Sequence, residues 1–247
     1  MIPHRFFIVS YQKSGTHQIM PAFGATRQIV GRAYVDMAAV KGYGMTGVNY
    51  AGIPKTCEKL RSFKVSAFGH LPYLSEYAEA IQAQPTKVIF NVRDPRDIVV
   101  ANLYNIRKVC NPPNRPKYSR GLGHLNLTDE KTGELVIEKA DPISALIEIE
   151  SYRWPEWLGW LKHDFTMQVK YEDLRTNPAP VINKIANFVA PVPIDVNTVI
   201  GNLQPQNGNP TFRAGRIGDW KTEFNEHHKE LARKLLGDTI AKLGYEV

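Results

Sequence analysis

Lys87 to Val92 (KVIFNV) is a short apolar run that passes directly into Arg93-Asp94-Pro95-Arg96-Asp97 and then into an apolar-rich helical stretch, Ile98 to Val109. A run of this kind reads as a buried strand, Asp94 suits a helix cap, and Pro95 suits the first helical position, where its missing N–H costs nothing. The same order of strand, polar junction and helix recurs along the chain. Arg5 to Ser10 (RFFIVS) reads as a strand leading into the loop Tyr11-Gln12-Lys13-Ser14-Gly15-Thr16-His17. A strand expected over 62–68 leads into Gly69-His70-Leu71-Pro72 and a helix with Leu74, Tyr77, Ala78 and Ile81 on one face. A further strand, 165–171 (FTMQVKY), ends at Glu172-Asp173. Strands alternating with helices predict an α/β fold, a parallel sheet covered on both faces and connected by right-handed crossovers.

The rest of the chain fits that frame. Residues 143–163 read as helical with a break at Trp154-Pro155, and Val181, Ile182, Ile185, Phe188 and Val189 mark the apolar face of a helix introduced by Asn177-Pro178. A last helix starts at about Asn225. Residues 111–141, rich in Pro, Gly and Asn with little periodicity, read as a long loop or lid. No linker divides the halves, so residues 1–247 are expected to form a single α/β domain.

Composition narrows the class of function. With 43% hydrophobic and 22% charged residues among 247, the chain can bury a sizeable core. Two cysteines, Cys57 and Cys110, form no C-x-x-C pair, so neither a disulfide framework nor a zinc site is expected, and a reducing compartment fits. No stretch approaches the ~18 apolar residues of a membrane span. The expectation is a soluble, cytoplasmic protein with no membrane partner and no metal. The formal charge of +7 points to an anionic partner, which could be a phosphorylated small molecule or nucleic acid.

In open parallel sheets the ligand sits outside the carboxyl ends of the strands. The junctions at Lys13–His17, Gly69–His70, Arg93–Asp97 and Tyr171–Asp173 all follow expected strands and therefore converge on one edge. Lys13-Ser14-Gly15-Thr16 places backbone N–H groups, two hydroxyls and an ammonium at a helix N-terminus, a site suited to phosphate or sulfate. It is not a Walker A sequence, because its lysine precedes Gly15 instead of following a second glycine. Taken alone, it serves equally as an ordinary strand-to-helix turn.

Taken together, the junctions resemble the sulfotransferase family that uses 3′-phosphoadenosine 5′-phosphosulfate (PAPS). The family's phosphosulfate loop, Y-P-K-S-G-T-T-W, is matched by Tyr11-Gln12-Lys13-Ser14-Gly15-Thr16-His17-Gln18, and its R-N-P-K-D-x-x-x-S element by Arg93 to Ala101. Its T-H-L-P segment is matched by Gly69-His70-Leu71-Pro72, its Y-E-D by Tyr171-Glu172-Asp173, and its R-K-G-x-x-G-D-W-K by Arg213 to Lys221. The resemblance implies a three-layer, P-loop-like sheet and sulfuryl transfer to a hydroxyl or amine of a small-molecule acceptor, with 3′-phosphoadenosine 5′-phosphate (PAP) as product and no metal. It assigns Lys13, Ser14, Gly15, Thr16 and His17 to the 5′-phosphosulfate. Arg93, Arg213 and the backbone of Ala214 and Gly215 are assigned to the 3′-phosphate, and Tyr171 to the neighbourhood of adenine. Lys13 would stabilise charge on the leaving oxygen, and His70 would be the general base, for which an imidazole with an ordinary pKa of about 6.5 is suited.

Plainer readings stand beside these: Arg93 as a helix-start ion pair with Asp97, His70 as a satisfied turn histidine, Tyr171 as core. The chain departs from the family pattern at His17, Gln18, Phe68, Ala101 and Ala214, which stand where Thr, Trp, Lys, Ser and Lys are usual. The segment Lys221 to Glu230 keeps only the ends of the family's dimer motif, so a monomer or weak homodimer is expected, and His227 and His228 read as a solvated helix face. Glu148 and Glu150, set among apolar residues, either meet a cationic acceptor or both face solvent. The competing functions are a P-loop nucleotide kinase or NTPase, which would need a Walker lysine, and a basic nucleic-acid-binding protein, which would need a recognition motif that this chain lacks. Nucleic acid is therefore not the expected partner.

Overall fold

The computed structural model describes residues 5–24, 33–35, 53–62, 67–110, 139–203 and 215–247. Strand β1 (Arg5–Ser10) is buried along its whole length. Its side chains alternate between faces, Phe6 and Ile8 entering one apolar cluster and Phe7 and Val9 another. Burial on both faces explains why this strand reads as a continuous apolar run. With β2 (Ala33–Val35), β3 (Ala67–Gly69), β4 (Thr86–Val92) and β5 (Thr166–Lys170) it forms a parallel sheet in the order β2-β3-β1-β4-β5.

Helices cover both faces, as expected for a three-layer α/β sheet. On one side α1 (Thr16–Gly24) contributes Ile19 and Phe23, and they pack with Ile89, Met167 and Val169 of the sheet. The larger cluster on the other side joins Val88, Phe90 and Val92 to residues of α2 (Ile53–Ser62), α3 (Ser75–Gln82), α4 (Pro95–Cys110) and α5 (Pro142–Arg153). The expected break after α5 is present: Pro155 starts a short helix, α6 (Pro155–Leu158), followed by a 3-10 turn (Gly159–Lys162). Then come α7 (Tyr171–Thr176), α8 (Pro178–Val189), α9 (Val196–Asn202), α10 (Trp220–Glu223) and α11 (Glu226–Lys242). Helices α8 and α9 complete the first face with Ile182, Ile185, Val189 and Val199, and α11 completes the second with Ala232, Leu236 and Ile240.

Three expectations need correction. Of the strand expected over 62–68, Ser62 belongs instead to α2, whose Ile53, Cys57 and Leu60 follow helical spacing, Ala67 and Phe68 lie in β3, and residues 63–66 lie outside the described part of the chain. Strand β5 stops at Lys170, and Tyr171 opens α7, whose first turn holds Glu172 and Asp173 as a helix N-terminus favours. His227 is exposed as expected, but His228 is buried at 8% relative exposure. It closes a capping box with Asn225, whose N–H it accepts at Nδ1, so Nε2 carries the proton and donates to Asp141, 3.1 Å away. Asp141 in turn caps α5 by accepting from the Ser144 N–H. Of the loop expected at 111–141, residues 111–138 lie outside the described part of the chain.

The register positions the site. Val9 stands opposite Gly69, Ser10 opposite Asn91, and Val92 opposite Lys170. The next residues along each strand, Tyr11, His70, Arg93 and Tyr171, therefore emerge together at one edge of the sheet.

Candidate active site

The loop after β1 is shaped by two residues with left-handed backbone, Lys13 at φ 63° and Gly15 at φ 82°. Alternation of this kind turns successive N–H groups toward a common point and makes an anion-binding concavity. Inside the loop, Ser14 N–H donates to the Tyr11 carbonyl at 3.2 Å, and the Ser10 and Thr16 hydroxyls are 2.7 Å apart. Asn91 on β4 donates from Nδ2 to Ser14 O at 2.6 Å and to Ser10 Oγ at 3.2 Å. Sequence reasoning missed Asn91, although a polar residue in an otherwise apolar buried strand was a signal that something there must be hydrogen-bonded.

Gly15 is required twice over. Its φ disfavours any Cβ, and a Cβ built there would lie 2.5 Å from Tyr171 Cδ2. Gly15→Ala is expected to cost ~1–3 kcal/mol in loop conformation and so to weaken binding of a phosphate-bearing nucleotide about tenfold or more, read by calorimetric titration. Wild-type affinity in that variant would show that the loop relaxes around the added methyl at no cost to the site.

Tyr11 anchors the base of the loop. Its ring stacks on Trp154 at 3.8 Å and meets Trp157 edge-on. Its hydroxyl donates to Glu150 Oε2 at 2.5 Å, while Asn102 donates to Glu150 Oε1 at 3.1 Å. Glu150 is 0% exposed and lies 3.9 Å from Arg153. The reading that Glu148 and Glu150 both face solvent therefore holds for exposed Glu148 and fails for Glu150, whose carboxylate is compensated inside the protein.

His70 follows β3 directly, and its Nδ1 lies 2.6 Å from the Ser10 carbonyl. A carbonyl can only accept, so Nδ1 carries the proton and Nε2 is the basic nitrogen of the neutral ring. The anchor also fixes the ring against β1, next to the loop that holds Lys13.

Arg93 joins the two ends of the edge. It donates to Lys13 O at 3.4 Å and to Arg216 O at 2.7 Å, and it stands 3.6 Å from Asp97 and 4.8 Å from the centre of the Tyr171 ring. The helix-start ion pair with Asp97 is thus real, yet Asp97 is also engaged by the Gly218 and Trp220 N–H groups at 2.8 and 3.2 Å. Tyr171 donates its hydroxyl to Gly215 O at 3.2 Å, and burial raises its pKa, with nearby Arg93 opposing, so it stays a donor. Arg213 and Ala214 lie outside the described residues, as does the side chain of His17.

Two donors at this edge are buried without a partner among the described residues, Ser14 Oγ and Arg93 Nε. An unmet buried donor costs roughly 1–3 kcal/mol, and phosphate oxygens would meet both. The residues present therefore fit a nucleotide with separate anionic groups. Among the described residues no cluster of His, Cys, Asp and Glu could hold a metal ion, and no helix is long and apolar enough to cross a membrane.

A parallel sheet with a glycine-bearing anion loop after its first strand and an arginine after β4 defines a P-loop-like phosphate-binding protein. The sulfotransferase domain family model matches residues 3–244, and the chain belongs to that family. It is 20% identical over 273 residues to flavonol 3-sulfotransferase of Flaveria bidentis, covering 98% of this chain and 83% of that protein. It is 24% identical over 196 residues to sulfotransferase 2A1 of Mus musculus, covering 70% of this chain and 62% of that protein. In fold it is similar to mouse sulfotransferase SULT7A1, crystallised with PAP, with a TM-score of 0.61 at 16% identity over 97% of this chain and 87% of that one. It is also similar to retinol dehydratase, crystallised with androsterone and PAP, with a TM-score of 0.54 at 16% identity over 100% of this chain and 83% of that one. The expected enzyme class, a PAPS-dependent sulfotransferase, is borne out, and the kinase and nucleic-acid-binding readings are not favoured.

Proposed function

We propose that this chain, as one domain over residues 1–247, transfers the sulfuryl group of PAPS to a hydroxyl or amine of a small-molecule acceptor, with the residues of the sheet edge in distinct roles. The observation that carries the assignment of roles is the convergence of Lys13, His70, Arg93 and Tyr171, set by strand register, around two buried donors with no partner among the described residues. PAPS supplies an activated sulfuryl group with a phosphate leaving group.

The loop amides, Ser14, Thr16 and His17 hold the 5′-phosphosulfate at the N-terminus of α1. Lys13 meets the charge that grows on the bridging oxygen as the S–O bond breaks, so its stabilisation is strongest in the transition state. His70 Nε2 takes the proton from the acceptor as it attacks sulfur in line. Arg93 binds the 3′-phosphate, supported by Arg213 and by the backbone of Ala214 and Gly215, and Tyr171 borders the adenine. None of these steps calls on a metal.

The flavonol 3-sulfotransferase and the retinol dehydratase–androsterone complex support a small organic acceptor. Of the two glutamates in α5, only the exposed Glu148 is left for a cationic acceptor, because Tyr11, Asn102 and Arg153 already surround Glu150. We retain a cytoplasmic protein, monomeric or weakly dimeric, as part of this reading.

Two experiments test it. Incubation with labelled PAPS and a library of phenols, alcohols and amines should give a labelled product together with PAP; release of free sulfate alone across the library would contradict transfer. Arg93→Ala should weaken PAPS binding by ~1.5–3 kcal/mol and adenosine 5′-phosphosulfate, which lacks the 3′-phosphate, hardly at all. Equal losses for the two ligands would reduce Arg93 to a support of the fold.

A further inference from the structure

The Arg93–Asp97 turn is held from behind by a segment far along the chain. Past α11, Leu243–Glu246 runs beside β5 and on to this turn. Gln168 donates to Leu243 O at 2.8 Å, and Lys170 donates to Gly244 O at 2.5 Å, with its ammonium 4.4 Å from the centre of the Tyr245 ring. Gly244, at φ 73°, supplies the bend that turns Tyr245 inward.

The hydroxyl of Tyr245 donates to Glu172 Oε2 at 2.7 Å, and the other oxygen of that carboxylate accepts the Asp94 backbone N–H at 3.1 Å. Asp94 also binds the Arg96 guanidinium through both carboxylate oxygens, and Arg96 Nη2 donates to Glu246 O at 2.6 Å while its guanidinium covers the Trp220 ring at 3.9 Å. A closed circuit thus runs from Tyr245 through Glu172 to the peptide joining Arg93 and Asp94, then through Arg96 back to Glu246. Arg96 neutralises Asp94, and Tyr245 satisfies Glu172, so neither carboxylate is left unmet beside a site meant for a phosphate. Burial raises the pKa of Glu172, and the bonds from Tyr245 and the Asp94 N–H oppose the shift and favour the anion.

We propose that Tyr245 is a positioning residue for 3′-phosphate recognition: acting through Glu172, it fixes the backbone at Arg93–Asp94 and thereby the aim of the Arg93 guanidinium. This deepens the proposed function and rests on its assignment of Arg93 to the 3′-phosphate. The circuit's own hydrogen bonds are made to the turn, and the loop over residues 11–16 is reached only through the 3.4 Å Arg93–Lys13 O bond, so its loss should be felt more by the 3′-phosphate than by the 5′ end of the nucleotide.

The test is Tyr245→Phe, which keeps the ring against Lys170 and removes only the hydroxyl. Calorimetric affinities are measured for PAP and for adenosine 5′-monophosphate, which differ only in the 3′-phosphate, together with Tm. PAP binding should weaken about three- to tenfold, with adenosine 5′-monophosphate within about twofold, so the preference between them narrows. If both ligands weaken equally, Tyr245 merely supports the fold and the proposal fails. If the variant keeps the full preference of the wild type, the proposal fails while the reading of Arg93 survives. If the wild type itself shows no preference for PAP, that reading falls, and this proposal with it.

Discussion

Turnover in a His70→Ala variant falls by at least ~10², within the ~10²–10⁴ that a positioned general base contributes, while PAP affinity stays within about threefold of wild type. The two halves of this result have separate causes. His70 is anchored at Nδ1 by the Ser10 carbonyl, which leaves Nε2 as its basic nitrogen, the one assigned to the acceptor in the proposed function. In the proposed function the nucleotide is held by other elements, the loop after β1 and the turn after β4. Between the two neutral tautomers the anchor selects the one a base needs, with the proton on Nδ1 and the lone pair on Nε2. Steady-state kinetics with a labelled donor and direct titration of PAP give the two readings. Near-normal turnover in the folded variant would remove His70 from the mechanism.

Lys13→Ala lowers kcat by ~10²–10³ with a smaller effect on PAP affinity. Alanine pays the same left-handed backbone cost as lysine at φ 63°, so the loss measures the ammonium and not the loop. In the proposed role the contribution is concentrated in kcat, because the charge assigned to Lys13 grows as the bond to sulfur breaks. A variant that loses affinity and kcat/KM in equal proportion while keeping kcat would make Lys13 a binding residue only, and transition-state stabilisation would have to come from the loop amides.

Much of this site was legible because strand ends carry it. KVIFNV and RFFIVS announce buried strands, and the polar junctions that follow them are also where the family's motifs fall, so the edge could be anticipated before any register was known. Other parts were hidden for identifiable reasons. Tyr171 reads as the end of a strand because FTMQVKY has no breaker in it, whereas the acidic pair after it belongs to the first turn of a helix. Helix α2 escaped notice because only Ile53, Cys57 and Leu60 mark its inner face amid polar residues. Glu150 could not be distinguished from its exposed neighbour Glu148 by spacing, since what buries it is the Tyr11 hydroxyl, 139 residues away in the chain. Long-range partners of this kind also conceal the Tyr245–Glu172 bond: Y-E-D points to a site by resemblance, but its glutamate accepts a hydrogen bond from a residue 73 positions later.

The most direct test of the central claim is a calorimetric titration of the purified protein with PAP, set against ATP with Mg²⁺ and against a short DNA duplex. PAP is expected to bind saturably at a single site, with an affinity at least about tenfold above that for ATP with Mg²⁺ and no comparable binding of DNA. ATP with Mg²⁺ binding as tightly as PAP, or tighter, would contradict that claim, because nothing in a site built on Arg93 for a 3′-phosphate should favour a nucleotide without one.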